Sequence, residues 1–143
     1  MDDKLIIYQI LTRLFTNGNK YCVPNGTIEQ NGCGKMNDIT SHVLESIRSL
    51  GSTHVWYTGI IEHATKTDYS RFGIRPGNPY IVKGRAGSPY AIKDYYDIDP
   101  DLAVSVPDRM KEFEALVDRT HKAGLKVIID FVPNHVARQY HSD

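Results

Sequence analysis

Residues 127–136 read VIIDFVPNHV. Five apolar or aromatic side chains are interrupted by one carboxylate, Asp130, and the run closes on Pro133, Asn134 and His135. With Leu125 and Lys126 in front, LKVIIDFV (125–132) predicts a β-strand. Its apolar character is continuous, which fits a strand covered on both faces, as in a parallel sheet. An acid inside such a run needs hydrogen-bond partners or a cation. In parallel α/β sheets and barrels, ligands bind beyond the carboxyl ends of the strands. Asp130, Asn134 and His135 stand at such an end. A plainer reading is that they cap the next turn, since Asn-His after Pro is sound turn chemistry. Two further apolar residues follow Asp130, which places it inside the strand and argues for a site.

The segment just before the strand, SVPDRMKEFEALVDRTHKAG (105–124), carries Met110, Phe113, Leu116 and Val117 at helical spacing. Ser105 and Asp108 fit a capping box and Gly124 a stop, so a helix is predicted over about 106–123. DITSHVLESIRSLG (38–51) repeats the pattern with Ile39, Val43, Leu44, Ile47 and Leu50. Asn37 or Asp38 is its expected cap and Gly51 its stop, which gives a helix over about 38–50. THVWYTGI (53–60) predicts a strand over 53–58 with Trp56 in the core, and LIIYQILTRLF (5–15) a strand over 5–11. Strands alternating with helices imply βαβ units and a parallel sheet. Two stretches carry no such pattern. Residues 16–36 are rich in Gly and Asn and read as a loop. Residues 61–104 show little periodicity, yet hold five of the nine tyrosines. A stretch of that length is functional or disordered, and its aromatics argue against disorder. Within it His63 reads as a loop histidine, while His121 reads as a helix-surface one.

Composition narrows the function. A length of 143 residues suggests one domain at most. Seventeen basic residues balance seventeen acidic ones, so no charge excess favours nucleic acid. No apolar run is long enough for a bilayer. MDDKLIIYQI lacks the charged start and small-residue cleavage site of a signal peptide, and the compartment stays unassigned. Cys22 and Cys33, eleven apart, leave a local disulfide open, but two thiols without a CxxC do not make a metal site. His135 and His141, six apart, lack a zinc spacing. NGCGKMND (31–38) lacks both glycine-rich phosphate patterns, which argues against a doubly wound nucleotide-binding domain.

AGLKVIIDFVPNH (123–135) resembles the first conserved region of the α-amylase family, the retaining, α-glucan-active (β/α)8 barrels. In that region an apolar strand carries D-x-x-x-N-H, and Asp130, Asn134 and His135 fill all three positions. LVDRTHKAG (116–124) resembles the helix before that strand, LGSTHVWYTGII (50–61) the second strand and IIYQILTRLF (6–15) the first. PYAIKDYYDIDPDL (89–102) resembles the loop after the second strand. The resemblance implies an α/β fold, the βαβαβ portion of a (β/α)8 TIM barrel truncated after its third strand. It implies an α-glucan partner such as starch or a maltooligosaccharide. Asp130 matches a carboxylate at the floor of the site, His135 a histidine bonded to a sugar hydroxyl, and Tyr90 an aromatic on which the sugar stacks. Pro89 departs from the glycine that often precedes this tyrosine, while Asp94 keeps the pattern. Asn134 matches a ligand to calcium, a hard cation that takes six to eight oxygens. For Tyr90, Tyr95 and Tyr96 the plain reading is loop packing.

Retaining hydrolysis needs a nucleophile and an acid/base about 5–5.5 Å apart. In the family these lie on later strands, and such a barrel needs about 250 residues. The resemblance therefore implies a 143-residue piece that lacks both groups and is inactive alone. Unpaired strand edges imply self-association. A transglycosylase or isomerase of the same clan shares every residue seen here, as does a non-catalytic carbohydrate-binding member.

Overall fold

The computed structural model describes residues 4–142. In chain order it has β1 (Ile7–Leu11), the one-turn helices α1 (Thr12–Phe15) and α2 (Ile28–Asn31), α3 (Ser41–Ser49), β2 (His54–Thr58), β3 (Ile61–His63), β4 (Ile92–Ile98), α4 (Arg109–Lys122) and β5 (Lys126–Ile129). β1, β2 and β5 form a parallel sheet with β2 in the centre. The expected parallel α/β arrangement is present. One line of register runs Gln9, Trp56, Ile128 and the next runs Ile10, Tyr57, Ile129.

Alternation along the strands separates two faces. Ile10, Val55 and Tyr57 face the helices and are fully buried with Leu44 and Ile47 of α3 and Leu116 of α4. Each such side chain contributes about 1.5–3 kcal/mol by leaving water. The Tyr57 and Thr120 hydroxyls brought into this layer satisfy each other. The Thr120 hydroxyl donates to the Leu116 carbonyl at 2.7 Å, which leaves its oxygen to accept from the Tyr57 hydroxyl at 2.7 Å. The opposite face carries Ile7, Gln9, Leu11, Trp56, Thr58 and Ile128, of which Thr58, at the end of β2, is buried. Ile7 and Leu11 are exposed there.

Several local expectations are corrected. The helix predicted from residue 38 starts at Ser41. Its cap is Thr40, whose hydroxyl accepts from the Val43 N–H, and Asn37 and Asp38 form a preceding 3-10 turn. Leu50 is exposed at its end. The helix predicted over 106–123 begins as a 3-10 turn, Val106–Asp108, because Pro107 suits a first turn. Ser105 and Asp108 touch each other but do not box the helix. Glu112 caps the approach instead, its two oxygens accepting from Val104 N–H at 2.9 Å and Ser105 N–H at 2.7 Å. Glu112, Leu116 and Thr120 form the buried line of α4, and Met110 is exposed. Gly51 and Gly124 both take positive φ where the helices stop, as predicted.

Residues 61–104 hold more structure than their sequence suggests. β3 and β4 pair antiparallel, with register shifts on either side of Glu62. All three β3 residues are buried, so no alternation marks the strand. β5 is shorter than predicted. Its ladder ends at Ile129, Asp130 lies one residue beyond, and Phe131 is exposed against Tyr95 instead of continuing the strand.

Candidate functional site

Asp130 leaves the sheet at the carboxyl end of β5. Two residues past Ile128, it keeps the parity of the Gln9, Trp56, Ile128 face. One carboxylate oxygen accepts from the Trp56 indole N–H. The other accepts from the Gly59 amide at 3.2 Å. The expectation that Trp56 lies in the core is therefore corrected. Val55 and Tyr57 beside it take the helix side, and Trp56 is half-buried on the open face.

Gly59 links this carboxylate to the tyrosine loop. Its φ is +79°, which turns the chain after β2 and aims the amide at Asp130. A Cβ there would stand 3.1 Å from the Pro89 side chain. Pro89 thus sits on Gly59, and Tyr90 follows it with its ring partly exposed. Tyr90 is tied through its N–H to the Ser88 hydroxyl at 3.3 Å. Asp130 and the Tyr90 loop are brought together in this way.

The segment after Asp130 is hung from β4. The Tyr95 hydroxyl reaches the carbonyl oxygens of Val132, at 2.5 Å, and His135, at 3.3 Å. The Tyr95 ring packs on Phe131 and Tyr140 with centroids 5.4 and 5.7 Å apart. Ala137 N–H donates to the Ile92 carbonyl and His141 N–H to that of Lys93. Tyr95 is a packing residue, in keeping with its plain reading. His135 and Asn134 are exposed at the bend, with imidazole Nδ1 3.1 Å from the Asn134 side-chain oxygen. Among the described residues, no hydrogen bond joins either to Asp130 or Tyr90.

Behind the site lies a buried charged layer. His63 is not a loop histidine. It is in β3, with Nε2 2.7 Å from the fully buried Asp99 carboxylate. Burial opposes the charged imidazole, but the Asp99 charge and hydrogen bond outweigh it and raise the His63 pKa. Burial likewise opposes the Asp99 carboxylate, and His63 and Arg13 overcome it and lower its pKa. Asp99 also accepts from the Asp101 N–H at 2.8 Å. Asp101 in turn pairs with Arg13, accepts from the Tyr69 hydroxyl at 2.6 Å, and gives its carbonyl to Lys35. A cleft of about 130 Å³ between this layer and Pro89 is lined by Leu11, Thr58, Gly59, His63 and Leu102. Parity in THVWYTGI could have shown that Trp56 shares the face of Asp130. Nothing local marks His63 or Gly59, whose partners are distant in sequence.

No three His, Cys, Asp or Glu side chains converge for a cation among the described residues, and the Asn134 oxygen faces His135. Cys22 and Cys33 are unbridged. Burial pushes the Cys33 thiol up to about 11.

What fold and geometry together give is a parallel α/β domain with one carboxylate, held by Trp56 and Gly59, at the carboxyl end of its strands beside the Tyr90 loop. The family model described as the catalytic domain of alpha amylase matches residues 9–142, and the chain belongs to the α-amylase family. It is similar to a cyclomaltodextrin glucanotransferase of Geobacillus stearothermophilus, 26% identical over 92% of this chain. It is also similar in structure to an alpha-amylase from Lactobacillus plantarum, with TM-score 0.63 and 28% identity over 95% of this chain. An alpha-amylase from Geobacillus thermoleovorans complexed with acarbose gives TM-score 0.62 and 27% identity over the same share. The chain spans 18% of that glucanotransferase and 24% of each amylase.

Proposed function

We propose that this chain is the βαβαβ portion of a (β/α)8 barrel and supplies one side of an α-glucan site, in a protein that hydrolyses α-glucosidic bonds with retention. One observation carries the reading. A single carboxylate is held by two N–H donors at the carboxyl end of the parallel sheet, beside the turn that seats the Tyr90 loop. Asp130 then meets sugar hydroxyls, Tyr90 stacks on the ring through its flat apolar face, and His135 donates to a hydroxyl. Retaining cleavage requires two carboxyl groups about 5–5.5 Å apart flanking the bond. Asp130 alone does not supply them, so the nucleophile and acid/base come from other parts of the protein.

A transferase reading has its own support, the glucanotransferase similarity. The two are separated by products, since a transferase yields longer or cyclic glucans from maltoheptaose and a hydrolase yields shorter ones.

The test is hydrolysis of maltoheptaose by the full-length protein and its Asp130→Asn variant, beside the purified 143-residue chain. The variant should lose at least about a hundredfold in kcat/KM, in line with removing one preorganised polar contact of a transition state, and the 143-residue chain should release no sugar. Undiminished activity of the variant, or steady turnover by the 143-residue chain, refutes the assignment.

A further inference from the structure

We propose that Trp56 is a positioning residue for the Asp130 carboxylate, acting through its indole N–H and together with the Gly59 amide. This rests on reading Asp130 as a glucan-binding carboxylate. The two donors come from β2 and the turn after it, and each holds one oxygen. An ionised carboxylate has about four lone-pair sites. Two are occupied here, which leaves two directed away from the strand for sugar hydroxyls. The final torsion of an aspartate is broad and roughly two-fold, so one donor alone leaves the carboxylate free to turn. Two donors at different angles fix its plane. Both have fixed geometry, a rigid indole and a backbone amide in a positive-φ turn closed over by Pro89.

Packing under the helices does not account for Trp56. The buried layer under α3 and α4 is filled by its neighbours Val55 and Tyr57, and Trp56 lies outside it. A half-buried indole does need a partner for its N–H, and a solvent molecule or a carbonyl would serve. What the structure provides is the carboxylate at the strand ends.

The experiment replaces Trp56 in the full-length protein with 3-benzothienylalanine, which keeps the ring shape and lacks the N–H. Acarbose affinity is measured for this variant, for Asp130→Ala and for the double variant, with thermal midpoints recorded alongside. The analogue should keep the thermal midpoint of the parent and weaken acarbose binding roughly tenfold, as for loss of a hydrogen bond to a charged group. In the Asp130→Ala background the same replacement should change affinity less than about twofold, since the interaction it removes is already gone. Binding by the analogue at the parent's affinity overturns the inference, as does a loss of the same size in the Asp130→Ala background. If Asp130→Ala itself binds acarbose like the parent, the glucan reading of Asp130 fails, and this role falls with it. If Asp130→Ala weakens binding and the analogue does not, only the role of Trp56 falls.

Discussion

Asp130, Asn134 and His135 are close in sequence, and the motif is legible through the resemblance of the strand and helix around it to the α-amylase family. Their partners are not legible in the same way. Asp130 is held by Trp56 and Gly59, more than seventy residues earlier, through the pairing of β2 with β5. Phe131 and Val132 look like a continuation of the strand only if an apolar residue is equated with a buried one, and Phe131 is exposed. His63 is hidden for a similar reason, because Asp99 meets it only through the pairing of β3 with β4. That buried pair has a testable pH signature. The His63 pKa is raised, so its contribution is complete below its ordinary 6.5 and is lost as pH rises through the folded value. The Asp99 pKa is lowered, so its contribution is complete above its ordinary 3.8 and is lost as pH falls through the folded value. The thermal midpoint should be highest between those limits and decline above pH 6.5. A His63→Gln variant should be less stable and should lose that alkaline slope. A variant whose midpoint declines above neutrality as steeply as the parent's would show that another group controls it.

The elements divide by how local their causes are. α3, α4, β2 and β5 are legible in the sequence because periodicity and glycine stops set them. β3 and β4 are not, because the register shifts around Glu62 remove the period-two signal and β3 is buried throughout. The start of α4 shows the same limit. Ser105 and Asp108 have the right spacing for a box, yet Pro107 favours a tighter first turn and Glu112 takes the free amides. Removing Glu112 takes the partner from the part-buried N–H groups of Val104 and Ser105, hydrogen bonds worth about 0.5–1.5 kcal/mol each. The Glu112→Ala variant should therefore show a lower urea midpoint at unchanged slope. An unchanged midpoint would mean that water replaces the carboxylate freely.

At the scale of the molecule, one face of the parallel sheet is covered by helices and the other is not. Ile7 and Leu11 are exposed on the open face, and among the described residues β1 and β5 each pair on one side only. Open parallel edges beside exposed apolar side chains favour association. The purified 143-residue chain should sediment as concentration-dependent oligomers. A single monomeric species across the micromolar range would contradict this. The open face is also the face of Trp56 and Asp130, so what covers the sheet also bounds the site.

In the function proposed above, Tyr90 and Asp130 bind an α-glucan at the carboxyl end of this sheet. Calorimetry of acarbose binding to the full-length protein, for the parent, Tyr90→Ala and Asp130→Asn, tests this binding. Each variant should bind roughly tenfold more weakly or worse, about 1.4 kcal/mol, with no loss of thermal stability large enough to explain it. Acarbose binding at the parent's affinity by both variants would show that neither side chain meets the glucan.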